Sequence, residues 1–189
     1  ILSFYGNKTI TTGEGGAILT DSDQLAEDCY KLKNHGRREK GIFMHESIGF
    51  NFSFTDLQAA LGIAQLNKLD RIISRKKEIR DRYFASLADI PGIEFQSVPE
   101  HTSPVFWFTN IRLDRVEELV DFLKVRGIDS RRFFYPLHRQ PCYKHLNYPD
   151  YPESMWAYEH SLSLPSGVRL PDDQIDSVID AIKMFKVDP

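Results

Sequence analysis

The stretch Ser3-Phe4-Tyr5-Gly6-Asn7-Lys8-Thr9-Ile10-Thr11-Thr12-Gly13-Glu14-Gly15-Gly16 decides how the rest of the chain is read. It overlaps an apolar start, Ile1 to Tyr5, that predicts a short buried strand. It precedes a second apolar run, Ala17 to Leu19, that predicts another. Lys8 therefore stands just beyond a strand, among small and glycine residues. A lysine in such a place can lose solvent, and desolvation favours the neutral, nucleophilic amine. Such an amine forms a Schiff base with an aldehyde cofactor or substrate. The glycines let the backbone turn sharply and approach a bulky group closely. A solvated loop lysine beside a glycine turn is the plainer reading, and at this point both stand. The spacing matches neither GxxxxGK(S/T) nor GxGxxG, so the nucleotide-cradle readings fail.

Outward from this stretch, Asp21 with Gln24 predicts a capping box. It opens a helix that carries Leu25, Cys29 and Leu32 and stops at Gly36. A basic and aromatic loop through Arg37, Arg38, Lys40 and Phe43 runs to Gly49. Thr55 with Gln58 forms a second capping box. Leu57, Leu61, Ala64, Leu69, Ile72, Ile79, Tyr83 and Leu87 then recur at helical spacing, as one long helix or two end to end. Pro91-Gly92 breaks the pattern and is the expected boundary between a part spanning 1–90 and a part spanning 91–189. Beyond it, Val105 to Leu113 reads as a strand. Asp114 with Glu117 caps a helix bearing Val116, Leu119, Val120 and Leu123, closed by Gly127. Phe133–Leu137 and Ser161–Leu164 are candidate strands. Pro171 opens a last helix with Ile175, Val178, Ile179, Ile182 and Phe185 on its buried face. Strands and helices alternate on both sides of the boundary, which predicts an α/β or α+β fold in two parts.

Composition narrows the function classes. The 189 residues are 41% hydrophobic, and 24 Lys and Arg stand against 27 Asp and Glu, for a net charge of −3. That is enough apolar matter for one or two cores, and it lacks the concentrated basic field that nucleic-acid backbones require. No apolar run approaches the ~18 residues of a membrane helix. The two cysteines, Cys29 and Cys142, cannot make a disulfide framework, so a reduced, cytoplasmic setting is expected. His138, Cys142 and His145 have roughly metal-like spacing, but Pro141 interrupts them and no fourth ligand is evident, so no metal is expected. Arg131 and Arg132, with Tyr135 and His138, read either as contacts for a sugar or diphosphate or as an exposed basic turn. Arg37, Arg38 and Lys40 either attract an anionic nucleotide or are solvated. Lys68, Arg71, Arg75, Lys76, Lys77, Arg80 and Arg82 are expected on the solvent face of the long helix. Trp107 and Trp156 read as core or interface aromatics.

The opening motif, Ser3-Phe4-x-x-x-Lys8 followed by Gly13-Glu14-Gly15-Gly16, resembles the cofactor-lysine signature of the DegT/DnrJ/StrS sugar aminotransferases. These are fold-type-I enzymes dependent on pyridoxal 5'-phosphate (PLP). Gly49-Phe50-Asn51-Phe52-Ser53-Phe54-Thr55-Asp56-Leu57-Gln58-Ala59-Ala60 resembles a second family stretch. Pro136-Leu137-His138-x-Gln140-Pro141-x-Tyr143 and Leu162-Ser163-Leu164-Pro165 resemble a third and a fourth. The resemblance implies the C-terminal portion of such an enzyme: the end of the large, PLP-binding domain over 1–90 and a small α+β domain over 91–189. It implies that Lys8 holds PLP as a Schiff base and shuttles the proton. Ser3 hydrogen-bonds the cofactor phosphate, and Asn51 reaches the same phosphate from the neighbouring subunit of a homodimer with a shared active site. Related 3-dehydratases carry histidine where this chain has Lys8, so lysine favours transamination.

The implied reaction moves an amino group, from an amino-acid donor such as glutamate, onto a nucleotide-linked 4-keto-6-deoxy sugar, the GDP-mannose-derived one first, for lipopolysaccharide O-antigen. Arg131, Tyr135 and His138 are the candidate substrate contacts. Two alternatives are a UDP- or dTDP-linked keto sugar, and a non-catalytic truncated or split chain acting as a partner subunit. Neither nucleic acid nor membrane is an expected partner. Two departures stand out. Ser53-Phe54 replaces the family's Arg-Met, and the family's earlier half, which carries the aspartate for the pyridine nitrogen, is missing, so Ile1 reads as a cut edge within a domain.

Overall fold

The computed structural model describes residues 1–39 and 41–185; Lys40 of the basic loop lies outside the described residues. The chain divides into two compact units, Ile1–Asp70 and Arg71–Pro189. The Pro91-Gly92 break falls inside the second of them. The reason is that the helix before it buries its apolar stripe in the second unit's core.

In the first unit, β1 (Leu2–Ser3) pairs antiparallel with β2 (Gly16–Ala17), Leu2 opposite Ala17 and Ser3 opposite Gly16. A side chain at position 16 would put its Cβ 2.7 Å from the Leu2 carbonyl oxygen, so glycine permits this pairing. The ribbon is shorter than expected and not buried: Leu2 is 48% exposed. A two-stranded ribbon has no second layer of its own, so apolar composition alone could not bury it.

Helix α1 (Asp23–Lys33) is capped by Ser22, whose Oγ accepts the Leu25 N–H at 3.3 Å, one position later than the Asp21 box predicted. Asp23 is thereby moved into the first turn, where the helix dipole favours a carboxylate. Helix α2 (Asp56–Leu66) opens with the predicted box: Gln58 N–H donates to Thr55 Oγ1 at 3.2 Å and Thr55 N–H to Gln58 Oε1 at 3.0 Å. The periodic stretch is two helices, interrupted at Asn67 and Lys68, with α3 spanning Leu69–Leu87.

The second unit is a four-stranded antiparallel sheet with helices. Its strands are β3 (Glu94–Phe95), β4 (Thr109–Arg112), β5 (Arg131–Arg132) and β6 (Ser161–Leu164), in the order β3-β4-β6-β5. Helices α4 (Val116–Val125), α5 (Pro152–His160) and α6 (Asp172–Met184) complete it. Ile79, Tyr83 and Leu87 of α3 share one core with Ile111, Leu119, Leu123, Leu162, Leu164, Ile175 and Ile182. Each such buried side chain contributes about 1.5–3 kcal/mol relative to exposure.

Several local expectations are corrected here. The predicted Val105–Leu113 strand is confined to Thr109–Arg112. Arg115, not Asp114, stands at the N-cap of α4, and no side chain caps it. The strand expected over Phe133–Leu137 lies at Arg131–Arg132, and Leu137–Arg139 forms a 3-10 turn. Helix α5 had only a proline at its start as a signal, because it buries no residue and so shows no apolar stripe.

The basic face of α3 is also not simply solvated. Arg75 pairs with Asp172 at 2.6 Å and Arg82 with Asp176 at 2.5 Å, joining α3 to the start of α6. Lys76 is buried, and its Nζ donates to the carbonyl oxygens of Trp107 and Ser166, each at 2.8 Å.

Candidate active site

The lysine motif closes into a compact loop on α2. Phe4 N–H donates to Gly15 O at 2.9 Å, while the Phe4 carbonyl accepts Thr12 N–H at 2.9 Å and Thr11 Oγ1 at 3.0 Å. Lys8 N–H donates to Tyr5 O at 3.0 Å, which makes a tight turn with Lys8 at its end. Two amide side chains of α2 hold the loop: Gln58 Nε2 donates to Glu14 O at 2.9 Å, and Gln65 Oε1 accepts Thr11 N–H at 3.4 Å. Lys8 is half-buried, whereas Ser3 is exposed, with its Oγ accepting Tyr5 N–H at 3.4 Å.

Gly15, at φ +138°, is required here. A Cβ at that position would lie 2.4 Å from the Phe54 ring, which also meets Phe4 edge-on at 6.4 Å. The departure at Ser53-Phe54 thus has a local account: the Phe54 ring packs on Gly15, and Ser53 Oγ donates to Lys33 O at 3.2 Å.

Asn51 is placed by backbone pairing. It bridges Asn34, and its neighbours clasp the end of α1: Phe50 N–H donates to Leu32 O at 2.6 Å and Phe52 N–H to Lys33 O at 3.0 Å. A glycine pair closes the loop leading there. A Cβ on Gly36, at φ +76°, would meet Ser47 O at 1.8 Å, and one on Gly49 would meet Gly36 N at 2.1 Å. Arg37 and Arg38 of the basic loop are engaged within it. Arg37 Nη2 donates to Asn34 Oδ1 at 3.0 Å and Arg38 Nε to Glu46 Oε2 at 2.8 Å.

The second unit carries the other candidates on one segment. Arg131 lies over the rings of Phe108 and Phe134, at 5.1 and 4.7 Å, and Tyr135 meets Tyr158 edge-on at 5.1 Å. His138 stands against Tyr151 at 4.9 Å, with its buried Nε2 3.8 Å from Asp150 and making no hydrogen bond. Arg132 serves the fold instead, donating to Tyr158 O at 3.1 Å and pairing with Glu117 at 2.9 Å. Among the described residues no group of three or more His, Cys, Asp or Glu is arranged to hold a metal ion. Among the described residues no helix is long and apolar enough to cross a membrane. Trp156 is exposed, lying between Arg112 and His160, and Trp107 is half-buried beside Phe108 and Phe134. This aromatic group escaped the sequence reading, although the runs Phe106-Trp107-Phe108 and Phe133-Phe134-Tyr135 were its signal.

In donor chemistry the first unit fits part of a PLP site. Lys8 offers an amine, Ser3 a hydroxyl and Asn51 an amide, which suit an aldehyde and a phosphate. The glycines at 15 and 16 allow the loop to close with Lys8 at the end of its turn. An acid for the pyridine nitrogen is not assigned among these residues.

Residues 1–183 match the DegT/DnrJ/EryC1/StrS aminotransferase family. The chain belongs to this family. It is 38% identical over 189 residues to a GDP-perosamine synthase of Vibrio cholerae, covering 97% of this chain and 51% of that relative. It is 34% identical over 185 residues to a dTDP-3-amino-3,4,6-trideoxy-alpha-D-glucose transaminase of Streptomyces venezuelae, covering 96% of this chain and 48% of that one. A solved PLP-form structure of the putative sugar aminotransferase Spr1654 from Streptococcus pneumoniae superposes with a TM-score of 0.86 at 25% identity, over 99% of this chain and 52% of that one. The chain thus spans about half the length of the curated relatives it matches. Its mixed helix and sheet is a partial fold-type-I aminotransferase fold.

Proposed function

We infer that this chain is the C-terminal part of a PLP-dependent sugar aminotransferase, with Lys8 as the residue that holds the cofactor and moves the proton. The observation that carries this reading is the loop of 3–16, closed on α2 by Gln58 and Gln65 with Lys8 half-buried at its turn. In this proposal the first unit completes the cofactor-bearing domain and the second forms the smaller domain. Bound PLP supplies the electron sink that makes loss of a carbon-bound proton feasible. Lys8 Nζ accepts that proton and returns it to the substrate as a positioned general base and acid. Ser3 Oγ and the Asn51 amide donate to the phosphate, Asn51 from the second subunit of a homodimer. Arg131 meets the substrate diphosphate through its planar fork, and Tyr135 and His138 contact the sugar.

The substrate is a nucleotide-linked 4-keto-6-deoxy sugar. The 38% identity to a GDP-perosamine synthase favours GDP-4-keto-6-deoxymannose, converted to GDP-perosamine with glutamate as donor. The 34% identity to a dTDP-sugar transaminase supports a second reading, a dTDP-linked keto sugar. The test uses the full-length protein loaded with PLP. Lys8→Ala abolishes the visible absorbance of lysine-bound cofactor and turnover together, and retention of that band overturns the assignment of Lys8. Competition among GDP-, UDP- and dTDP-linked 4-keto sugars decides the nucleotide.

A further inference from the structure

Asn34, at the C-terminal end of α1, carries a buried donor that the fold of the first unit does not use. The residue is 8% exposed, and its Nδ2 makes no hydrogen bond. Its Oδ1 accepts Arg37 Nη2 at 3.0 Å, while Arg37 Nε donates to the Asn34 carbonyl at 3.3 Å. A guanidinium only donates, so the amide end facing Arg37 is the oxygen and Nδ2 is the end left over. Leaving a buried donor unpaired is unfavourable, which calls for an acceptor beside it.

Asn51 stands opposite. The two asparagines form an antiparallel bridge, flanked by His35 N–H to Phe50 O and Phe52 N–H to Lys33 O, each at 3.0 Å. Those bonds belong to the neighbouring residues, so Asn34 and Asn51 are a non-hydrogen-bonded pair. In such a pair the side chains share one face and approach closely, with Cα atoms about 4.5 Å apart. The register is fixed on one side by the crossing of Gly36 and Gly49, where a Cβ on Gly49 would lie 2.1 Å from Gly36 N. Asn34 therefore presents its spare N–H groups on the face that carries the Asn51 side chain.

We propose that Asn34 is a positioning residue for Asn51, in a directed chain of donors that runs from Arg37 through Asn34 and Asn51 to the cofactor phosphate. Asn34 Nδ2 donates to Asn51 Oδ1, which turns the Asn51 N–H groups, rather than its oxygen, toward the phosphate in the second subunit's site. The two ends of an amide are nearly equal in size, so packing alone does not choose between them. An oxygen facing the anion would repel it. The Arg37 charge polarises the chain in the sense that strengthens each following donor. The proposal deepens the reading of Asn51 as a phosphate contact and rests on it.

The test measures binding of PLP and of pyridoxal, which lacks the phosphate, to the full-length apoprotein by the absorbance of lysine-bound cofactor. Asn34→Asp keeps an oxygen for Arg37 and loses the donor; Asn34→Leu is neutral and similar in size. Each weakens PLP about tenfold and leaves pyridoxal within about twofold. In an Asn51→Ala background neither weakens PLP further, because the effect passes through Asn51. Melting of the apoprotein shows which variants fold, and the near-isosteric Asn34→Asp alone suffices for the comparison. Equal weakening of PLP and pyridoxal, or effects that simply add to that of Asn51→Ala, overturns the proposal by making Asn34 a structural or a purely electrostatic residue. Asn51→Ala that leaves PLP affinity unchanged removes the reading of Asn51 and the proposal with it. Asn51→Ala that weakens PLP while both Asn34 variants bind it as the wild type does removes the role of Asn34 alone.

Discussion

Replacing Lys76 by methionine tests the physical account of the second unit most directly. The lysine stem is buried on α3, and its ammonium makes two 2.8 Å hydrogen bonds, to Trp107 O and Ser166 O. Hydrogen bonds to charged groups contribute about 1.5–3 kcal/mol each, so two represent roughly 3–6 kcal/mol. Methionine matches the stem but donates nothing, leaving two carbonyls without this donor. Against that loss, burying an ammonium is unfavourable, and burial pushes the Lys76 pKa down. Relief of that cost leaves a net destabilisation of about 2–4 kcal/mol.

The same depression fixes the sign of a pH effect. Between the lowered folded value and the unfolded value of about 10.4, the unfolded chain binds more protons, so this group makes stability rise with pH. Lys76→Met lacks that contribution. Urea unfolding of the full-length protein, followed by tryptophan fluorescence across the alkaline range, measures both effects. A cost below about 0.5 kcal/mol together with an unaltered alkaline slope refutes the reasoning.

Three further perturbations follow from the same geometry. Thr55→Ala removes one half of the α2 capping box and costs about 1 kcal/mol in thermal unfolding, with Thr55→Ser restoring most of it. Gly36→Ala forces a side chain into a φ of +76° and against the Ser47 carbonyl, costs more than about 2 kcal/mol and exposes the 36–49 loop to proteolytic nicking. Hydrogen bonding to Arg82 holds the Asp176 carboxyl below its ordinary value; its contribution is present above the unfolded value of about 3.9 and is lost as pH falls through the folded one. Asp176→Asn therefore flattens the acid limb of a stability profile, and an unchanged limb would argue against the Arg82 pairing.

Helices with an apolar stripe were legible in the sequence because their signal is periodic and local. The Thr55–Gln58 box, the stripe from Ile72 to Leu87 and the last helix from Pro171 all stand where the spacing put them. Strands were less legible. Val105–Leu113 has strand composition throughout, yet only Thr109–Arg112 finds partners, since a ladder depends on a distant segment such as Ser161–Leu164. Helix α5 buries no residue, so its sequence carries no apolar stripe to mark it. The motif around Lys8 was visible as a pattern, whereas its closure on Gln58 and Gln65 was not.

Alone, the sequence determined the family and the run of the main helices, because motifs and helical periods are written in neighbouring residues. It also supplied the lysine and its glycines. Tertiary structure decided the fate of the charges and aromatics. Lys76, one of six basic residues on α3, all expected on its solvent face, is buried because two carbonyls from sequence-distant segments converge on it. Trp107 and Phe134, 27 positions apart in the sequence, share one aromatic group because the second unit brings their segments together. Long-range convergence of this kind has no local pattern to announce it, since side-chain environment is set by segments remote in the chain.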